Sequence, residues 1–254
     1  YKDLFLNETY DSLYTYGMGY EANIKAQNIK NTKASMNFTI NMPGKDVHIK
    51  TKLRGNFNVY NILAAVGVFA SLGIDRDTIE KIVADVHVIP GRMEEVKSKD
   101  GFSVFIDYAH TADALENVLT TLGEMKGKGR VITVFGATGD RDKTKRPIMG
   151  QVVSRLSDVV IVTQDDDYTE NTGEIIKDIL PGIDRKQGED FWIISDRREA
   201  IRTALVMARK DDIILLAGKG DEHALLTNAG PIEWHERTIV EDMLKGIDDN
   251  TILK

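Results

Sequence analysis

The sequence contains no cysteine among its 254 residues. Disulfide bonds and thiolate metal sites are therefore excluded, and a reducing cytoplasm is the expected location. Positive charge is in deficit, since 33 lysines and arginines face 40 aspartates and glutamates, and the formal net charge is −7. Nucleic acid is not the expected partner, because it usually demands a basic face. No apolar run approaches the roughly 18 residues that span a bilayer, and no signal-peptide pattern opens the sequence.

The remaining composition is that of a soluble globular protein, with 42% hydrophobic and 29% charged residues. The stretches SMNFTINM (residues 35–42) and DVHIKTKL (46–53) alternate apolar and polar residues around a Pro-Gly-Lys turn. This pattern predicts a β-hairpin with one buried face. Helices over residues 58–73 and 75–86 should follow, and the Pro-Gly pair within residues 88–96 indicates an inter-domain linker.

From about Gly101 the sequence alternates short Val- and Ile-rich runs with helical patterns. The predicted strands cover residues 102–107, 130–135, 159–163, 191–195 and 213–217. The predicted helices cover residues 112–123, 147–156, 172–180 and 197–209. Such alternation, with continuously apolar strands, indicates an α/β fold in which helices cover both faces of a mostly parallel sheet.

Ligands of such a sheet bind outside the carboxyl ends of its strands. At the first of these ends, IDYAHTADAL places Asp107 and His110 at the turn into a helix. A carboxylate there suits a ribose hydroxyl, and an imidazole suits a phosphate or a base. The alternative is a helix cap supplied by Thr111 or Asp113.

A second strand end carries VFGATGDRDKTKRP (residues 134–147). Gly136 and Gly139 would let backbone N–H groups point at an anion, and Arg141 could hold a carboxylate through two hydrogen bonds. The alternative is a solvated charged loop, in which Arg146 has a structural role.

Two more strand ends carry polar or glycine residues. VTQDDDYTEN has three consecutive aspartates (165–167), which would attract an ammonium group or a metal ion unless they form an exposed acidic loop. One local acid cluster rarely completes the shell of a hard cation, so no metal site is predicted. LAGKGDEH offers Gly218 and Gly220 for close backbone approach and Glu222 as a carboxylate.

Five motifs in this order resemble those of the Mur ligases, and of the MurE type in particular: GNFNVYN, PGRMEEV, IDYAHTADALENVL, VFGATGDRDKTKRPIMG and AGKGDE. The resemblance runs from about Tyr14 to the C-terminus. It implies the last part of a central ATPase domain over residues 1–90. A Rossmann-like C-terminal domain that binds an amino acid would occupy residues 91–254.

The resemblance also implies an activity, that of an ATP-dependent acid–amino-acid ligase of peptidoglycan synthesis. ATP would phosphorylate the C-terminal carboxylate of UDP-MurNAc-L-Ala-D-Glu, and the amine of a diamino acid would attack the acyl phosphate. Mg²⁺ would neutralise the phosphate charge. A cytoplasmic monomer, without nucleic-acid or membrane partners, is expected.

Individual residues carry over by motif. Those that resemble the nucleotide contacts of the family are Asn58, Asn61, Arg92, Asp107 and His110. Those that resemble its amino-acid contacts are Arg141, for a carboxylate, and Gly218 and Glu222, for the far end of the substrate.

Two features of the family are absent from the sequence, the Gly-Lys-Thr phosphate loop and the lysine that is carbamylated to help bind Mg²⁺. The sequence therefore resembles the C-terminal portion of a longer ligase, and most Mg²⁺ ligands are expected in the missing portion. We predict that the 254-residue chain by itself does not hydrolyse ATP. An ATPase assay with peptide and amino acids present tests this, and turnover above background would contradict it.

The specificity loop also departs from the family. Diaminopimelate-adding members carry Asp-Asn-Pro-Arg where residues 165–168 read Asp-Asp-Asp-Tyr, so Asp166 replaces the asparagine and Tyr168 replaces the arginine that reads the distal carboxylate. Acid in place of arginine should attract an ammonium group and reject a carboxylate, which favours L-lysine over meso-diaminopimelate. Alternatively, Arg197 or Arg198 supplies the missing positive charge.

Two other functions remain open. A ligase of the folylpolyglutamate synthase kind shares the domain plan, but the GRME and GDRDxxKRP motifs argue against it. A non-catalytic Mur-like binding module would keep only the contacts to the amino acid and to the edge of the nucleotide.

Overall fold

A computed structural model of the chain describes residues 6, 9–10, 13–19, 21–31, 35–42 and 45–246. The chain divides into two compact units, Tyr1–His87 and Val88–Lys254. The sequence analysis placed the division between residues 90 and 91. Among the described residues, no helix has the length and apolar character needed to cross a membrane.

The first unit combines a mostly antiparallel sheet with two helices. Its strands, in sheet order, are β1 (Tyr16–Gly17), β2 (Ile24–Asn31), β3 (Met36–Met42) and β4 (Lys45–Thr51). Its helices are α1 (Asn56–Ser71) and α2 (Arg76–Asp85). The predicted hairpin is confirmed, because β3 and β4 pair antiparallel along their whole length. The predicted turn residues 43 and 44 lie outside the described residues.

The alternating pattern of β3 explains how this hairpin packs. Met36, Phe38 and Ile40 occupy alternate positions and are buried. They share one hydrophobic core with Val59 and Leu63 of α1. Residues two apart lie on the same face of a strand, so one face of the hairpin covers the helix and the other is more exposed.

The second unit is a six-stranded sheet with helices, followed by a small hairpin. The strands are β5 (Glu94–Lys97), β6 (Ser103–Asp107), β7 (Val131–Phe135), β8 (Val159–Val162), β9 (Phe191–Ile193), β10 (Ile213–Ala217), β11 (Ala224–Thr227) and β12 (Gly230–Glu233). The helices are α3 (Ala112–Met125), α4 (Lys145–Leu156), α5 (Thr172–Ile179), α6 (Arg197–Met207) and α7 (Glu236–Lys245), with a 3-10 turn at Leu180–Gly182. The sheet order is β5-β6-β10-β7-β8-β9, and all pairs are parallel except β5 with β6.

The central strands are buried on both faces. Val134 of β7 belongs to one core cluster with Ile201 of α6 and Val240 of α7. The preceding Thr133 points to the opposite face and is equally buried, with its hydroxyl 2.7 Å from that of Ser157 at the end of α4. Helices therefore cover both faces, and the predicted α/β fold is confirmed.

The sequence analysis missed β5, the β11–β12 hairpin and α7. β5 overlaps the segment interpreted as a linker. The strand was missed because its sequence, Glu-Glu-Val-Lys, carries three charges in four residues. Glu94 is nevertheless buried. Its carboxylate pairs with Arg237 of α7 and accepts a hydrogen bond from the Gly91 N–H at 2.9 Å. Arg237, which is distant in the sequence, therefore stabilises β5, a strand that its local composition does not indicate.

Candidate functional site

Four strand ends that the sequence analysis selected lie side by side, because β6, β10, β7 and β8 are consecutive in the sheet. The loops that follow them line a cavity of about 160 Å³. Its lining residues are Tyr108, His110, Thr138, Arg141, Lys145, Asp165, Asp166, Tyr168, Gly218 and Glu222. Every residue predicted for the amino acid is among them, and so is His110, which was predicted for the nucleotide.

Asp107, the last residue of β6, binds two backbone N–H groups near the end of the strand. It is buried, its Oδ1 accepts a hydrogen bond from the Ala109 N–H at 2.8 Å, and its Oδ2 accepts one from the Met93 N–H at 2.7 Å. Burial raises the pKa of this carboxyl group above its usual value. Both oxygens thus have backbone partners, and the ribose contact of Asp107 stays a prediction.

Arg92, which precedes β5, lies in a row with a tyrosine and a histidine of the turn after β6. The Arg92 guanidinium lies 4.6 Å from the centre of the Tyr108 ring, and the Tyr108 and His110 rings meet edge to face at 4.7 Å. Nδ1 of His110 is 2.8 Å from the Tyr108 carbonyl oxygen. The helix-cap alternative holds for Thr111, whose hydroxyl accepts from the Ala114 N–H.

The other two residues predicted for the nucleotide belong to the first unit. Asn58 is buried and donates from Nδ2 to the Arg54 carbonyl oxygen at 2.7 Å. Asn61 donates from its Nδ2 to Oδ1 of Asn58 at 3.1 Å. These bonds fix the two amides near the start of α1, and their contact with adenine stays a prediction.

Two cations line the cavity without a close ion pair, although hydrogen bonds and, to a lesser extent, nearby Lys145 lower the pKa of the Asp142 carboxyl group. Arg141 is exposed, and its guanidinium lies 5.2 Å from the centre of the Tyr168 ring. Lys145 donates from Nζ to the His110 carbonyl oxygen at 3.2 Å. Neither side chain forms an ion pair with any residue that the structure describes. The two charges make this part of the cavity suitable for an anionic group.

The glycines of the turn after β7 serve close packing. The Gly139 N–H donates to the Asp166 carbonyl oxygen at 2.7 Å, so it does not point at an anion as the sequence analysis predicted. A Cβ atom on Gly139 would lie 1.9 Å from the Asp167 carbonyl oxygen. A Cβ atom on Gly136 would lie 2.5 Å from the Thr163 carbonyl oxygen. The loops after β7 and β8 can approach only because both positions lack a side chain.

Arg146 stabilises the charged loop after β7. This is the structural role that the sequence analysis gave as an alternative for this residue. Its guanidinium is fully buried and pairs with Glu170 through Nη2 to Oε1 at 2.8 Å and Nη1 to Oε2 at 3.0 Å. It also binds the carboxylate of Asp178 at 2.8 Å and the Thr138 carbonyl oxygen at 3.1 Å. Glu170 in turn accepts from the Asp140 N–H at 2.7 Å. The loop that presents Arg141 is therefore fixed, not freely solvated.

The Glu170 carboxylate should support stability at neutral pH. Hydrogen bonds from Arg146 and then from Lys143 hold its pKa far below the usual value. A depressed pKa stabilises the folded state above the unfolded pKa, about 4.3 for Glu, and this contribution is lost as pH falls below that value. We expect Glu170→Gln to be less stable than wild type at pH 7, with a shallower loss of stability between about pH 5 and 2.

Chemical denaturation at a series of pH values measures this effect. Glu174→Gln, at an exposed position of α5, is the matched control and should follow the wild-type curve. An unchanged acid slope in Glu170→Gln would show that the Arg146 clamp does not depend on the carboxylate charge.

The three aspartates after β8 are buried, so the alternative of an exposed acidic loop is wrong. Their exposed fractions are 4%, 6% and 2% for Asp165, Asp166 and Asp167. Oδ1 of Asp165 accepts from the Asp166 N–H at 2.7 Å, whereas its Oδ2 has no hydrogen-bond partner. Burial raises the pKa of Asp165, and neighbouring Arg197 and Lys219 oppose the shift.

Gly218 is required opposite this carboxylate. A Cβ atom on Gly218 would lie 2.1 Å from Oδ2 of Asp165, and the residue has a φ of +116°. Only glycine adopts this conformation without strain. The backbone of the loop after β10 thus lies directly against the unpartnered carboxylate oxygen at the cavity wall.

Lys219 is the main feature that the sequence analysis missed. Its side chain is fully buried, and its Nζ lies 2.6 Å from Oδ1 of Asp166 and 2.6 Å from Oε2 of Glu222. Burial is the largest influence and lowers the pKa of Lys219, but the hydrogen bonds with both carboxylates raise it overall. Asp166 and Glu222, which the sequence analysis expected to contact a ligand, therefore both pair with Lys219 inside the protein.

Neither arginine suggested as a source of positive charge for the site contributes to the cavity lining. Arg197 is fully buried and binds Glu236, and Arg198 lies 5.8 Å from the Trp234 ring. Within residues 45–246 and the shorter described segments, no group of three or more His, Asp and Glu side chains is arranged to hold a metal ion.

Comparisons with known proteins agree with this architecture. The chain matches the family described as Mur ligase, glutamate ligase domain, over residues 91–220 and the Mur ligase middle domain over residues 2–69. It is 42% identical over 91% of its length to UDP-N-acetylmuramoyl-L-alanyl-D-glutamate–2,6-diaminopimelate ligase 1 of Clostridium acetobutylicum, of which it covers 48%. It is 44% identical over 82% of its length to the corresponding ligase of Geobacter metallireducens, of which it covers 43%.

A solved structure gives the same result. That structure, of a UDP-N-acetylmuramoyl-L-alanyl-D-glutamate–2,6-diaminopimelate ligase, is 31% identical and superposes with a TM-score of 0.61. The similarity covers 92% of this chain and 47% of the other. The chain thus spans about half the length of the curated relatives that it matches.

Proposed function

This chain belongs to the Mur ligase family, and from this premise we propose that it supplies the amino-acid-binding part of a ligase of the MurE type. The whole enzyme would use ATP to join a 2,6-diamino acid to UDP-MurNAc-L-Ala-D-Glu in peptidoglycan synthesis. The cavity at the carboxyl ends of β6, β10, β7 and β8 would receive the incoming amino acid.

One observation carries the proposal: the cavity contains partners for both charged ends of an amino acid. Arg141 and Lys145 form no close ion pair with a carboxylate among the described residues, and they suit the carboxylate of the substrate. Oδ2 of Asp165 is buried without a partner, and it suits an ammonium group. A carboxylate oxygen left without a hydrogen bond in the interior costs free energy, which a bound cation would recover.

The residues of this chain position the amine. Asp165 would hold an ammonium group of the substrate and Arg141 its carboxylate, which fixes the amine relative to the acyl phosphate. Such positioning makes attack on an acyl phosphate effectively unimolecular, and this is the main contribution that binding residues can make. Closing the cavity over the substrate would also exclude water from the reactive acyl phosphate.

The fit to ATP is partial. Arg92 and His110 present a guanidinium and an imidazole on neighbouring turns, which suit a phosphate or a base. For Mg²⁺, the part of the chain that the structure describes offers no cluster of three ligands, so no step of the reaction is assigned to a metal here. When bound to the whole enzyme, ATP and Mg²⁺ would supply the phosphoryl group and neutralise its charge.

Two candidates differ only in the group on the sixth carbon of the substrate. L-Lysine carries no carboxylate there, and Tyr168 in place of the family's arginine favours it. Diaminopimelate carries one, and Lys219 favours it by neutralising Asp166, the acid on which the lysine prediction depended. The names of the relatives also favour diaminopimelate. We therefore propose the 2,6-diamino acid class and keep the preference for L-lysine as a prediction.

A ligation assay with the full-length protein tests the function. UDP-MurNAc-L-Ala-D-Glu, ATP and Mg²⁺ would be incubated in turn with L-lysine, meso-diaminopimelate, L-ornithine and L-alanine, and the products would be identified by mass spectrometry. Ligation of a 2,6-diamino acid far above L-alanine is expected. No ligation with any amino acid would favour the non-catalytic binding module instead.

Arg141→Met should weaken binding of the amino acid specifically. A charge-assisted hydrogen bond contributes about 1.5–3 kcal/mol, so the KM for the diamino acid should rise by about 10- to 100-fold. The KM for ATP should stay near the wild-type value, and stability should change little because Arg141 is exposed. Steady-state kinetics with each substrate varied in turn measures the effect. A rise in the KM for ATP instead would assign Arg141 to a phosphate.

A further inference from the structure

We propose that Arg197 is a positioning residue that holds the two halves of the amino-acid cavity at a fixed distance. The proposal rests on the proposed function of that cavity. Arg197 is fully buried at the first position of α6, and it lies outside the cavity lining. It therefore acts on the substrate only through the loops that it joins.

The guanidinium binds one backbone carbonyl at the start of each of two cavity loops. Nη1 donates to the Gln164 carbonyl oxygen at 3.2 Å, and Nη2 donates to the Ala217 carbonyl oxygen at 3.0 Å. Gln164 immediately precedes Asp165, and Ala217 immediately precedes Gly218. One rigid planar group therefore connects the peptide before the unpartnered carboxylate to the peptide before the glycine that faces it.

The sheet itself provides no such connection. β8 and β10 are separated by β7, so no ladder hydrogen bond joins the strands that end at these two loops. Contact between the two loops is nevertheless close, since a Cβ atom on Gly218 would lie 2.1 Å from Oδ2 of Asp165. A small shift of either loop would change the room around that oxygen, and Arg197 resists such a shift.

Two residues of the α7 region hold the guanidinium in this orientation. Glu236, also buried, accepts from Nε at 3.1 Å and from Nη2 at 2.7 Å of Arg197. Trp234 donates from Nε1 to the same carboxylate at 2.6 Å. The planar fork of arginine makes all these bonds at once, and a lysine ammonium lacks the geometry to do so.

Arg197→Lys in the full-length protein tests the proposal. The matched control is Arg185→Lys, because Arg185 likewise binds a carboxylate, Asp190, and backbone carbonyls that include those of Ser154 and Asp158. Those partners lie around the amino end of β8, at the opposite edge of the sheet. Both variants should lose some stability in chemical denaturation. Only Arg197→Lys should also raise the KM for the diamino acid, by about tenfold, with the KM for ATP near the wild-type value.

The outcomes are distinct. Equal KM values for the diamino acid in Arg197→Lys and Arg185→Lys would overturn the positioning role and leave Arg197 a residue of stability alone. If Arg197→Lys does not fold, Glu236→Gln carries the same test, because it weakens the support of the guanidinium without removing it. A wild-type protein that ligates no diamino acid would overturn the proposed function, and the positioning role with it.

Discussion

Lys219→Met should lower the free energy of unfolding by about 3–5 kcal/mol, because it leaves buried charge without a partner. Lys219 is fully buried between Asp166 and Glu222. Asp166 has little alternative access to water, since its side chain is 9% exposed. Urea denaturation at pH 7 measures the loss. The same variant should bind the diamino acid more weakly, since both carboxylates line the cavity.

Two further variants separate charge from packing. Lys177→Met removes an exposed pair with Glu174 and should cost less than about 1 kcal/mol. Asp166→Asn combined with Lys219→Met removes the stranded charge and should recover part of the stability. If Lys219→Met costs no more than Lys177→Met, then Lys219 does not compensate the cavity acids.

Arg146→Met should cost about 3–5 kcal/mol as well, for a related reason. Its guanidinium makes a two-point pair with Glu170 and one further bond to Asp178. Removing it leaves the Glu170 carboxylate, which is 14% exposed, with the exposed Lys143 and the Asp140 N–H as its partners. The Thr138 carbonyl oxygen of the Arg141 loop also loses its donor. Thermal and urea unfolding measure the loss, and the KM for the diamino acid should rise with it.

The control for this prediction lies on the same helix. Arg155→Met of α4 breaks a pair with Glu116 in which both side chains are more than half exposed, and its effect should stay below about 1 kcal/mol. Arg146→Lys should not restore wild-type stability, because a lysine cannot make the two-point contact with Glu170. Full stability in Arg146→Lys would mean that the positive charge alone holds the loop.

The fold of the second unit follows largely from local sequence. The run Ile213–Ala217 is a continuous apolar stretch, and it is a strand with those bounds. The strands over β6, β7 and β8 were predicted to within one residue at each end. β5, which local sequence failed to show, carries the charge of Glu94, which distant Arg237 neutralises. Periodicity cannot reveal a partner that lies more than a hundred positions away.

The sequence likewise predicts one property of the candidate site, its position, and not another, its charge state. Which strand ends contribute follows from the α/β pattern and the rule that ligands bind at the carboxyl ends of the strands. The charge state of the site does not, because it depends on which side chains pair inside it. The sequence shows Lys219 only as a lysine between two glycines, yet it pairs with Asp166 and Glu222, two of the acids that a ligand was expected to use. An exposed loop stayed an alternative for the acidic run after β8, because sequence alone cannot show that Gly136, Gly139 and Gly218 bring neighbouring loops over it.

A crystal structure of the full-length protein with a 2,6-diamino acid bound tests the central claim most directly. We predict density for the amino acid in the cavity after β6, β10, β7 and β8. Its carboxylate should lie within hydrogen-bonding distance of Arg141, and an ammonium group should lie against Oδ2 of Asp165. Density for a nucleotide phosphate at Arg141, with the amino acid elsewhere, would contradict the account.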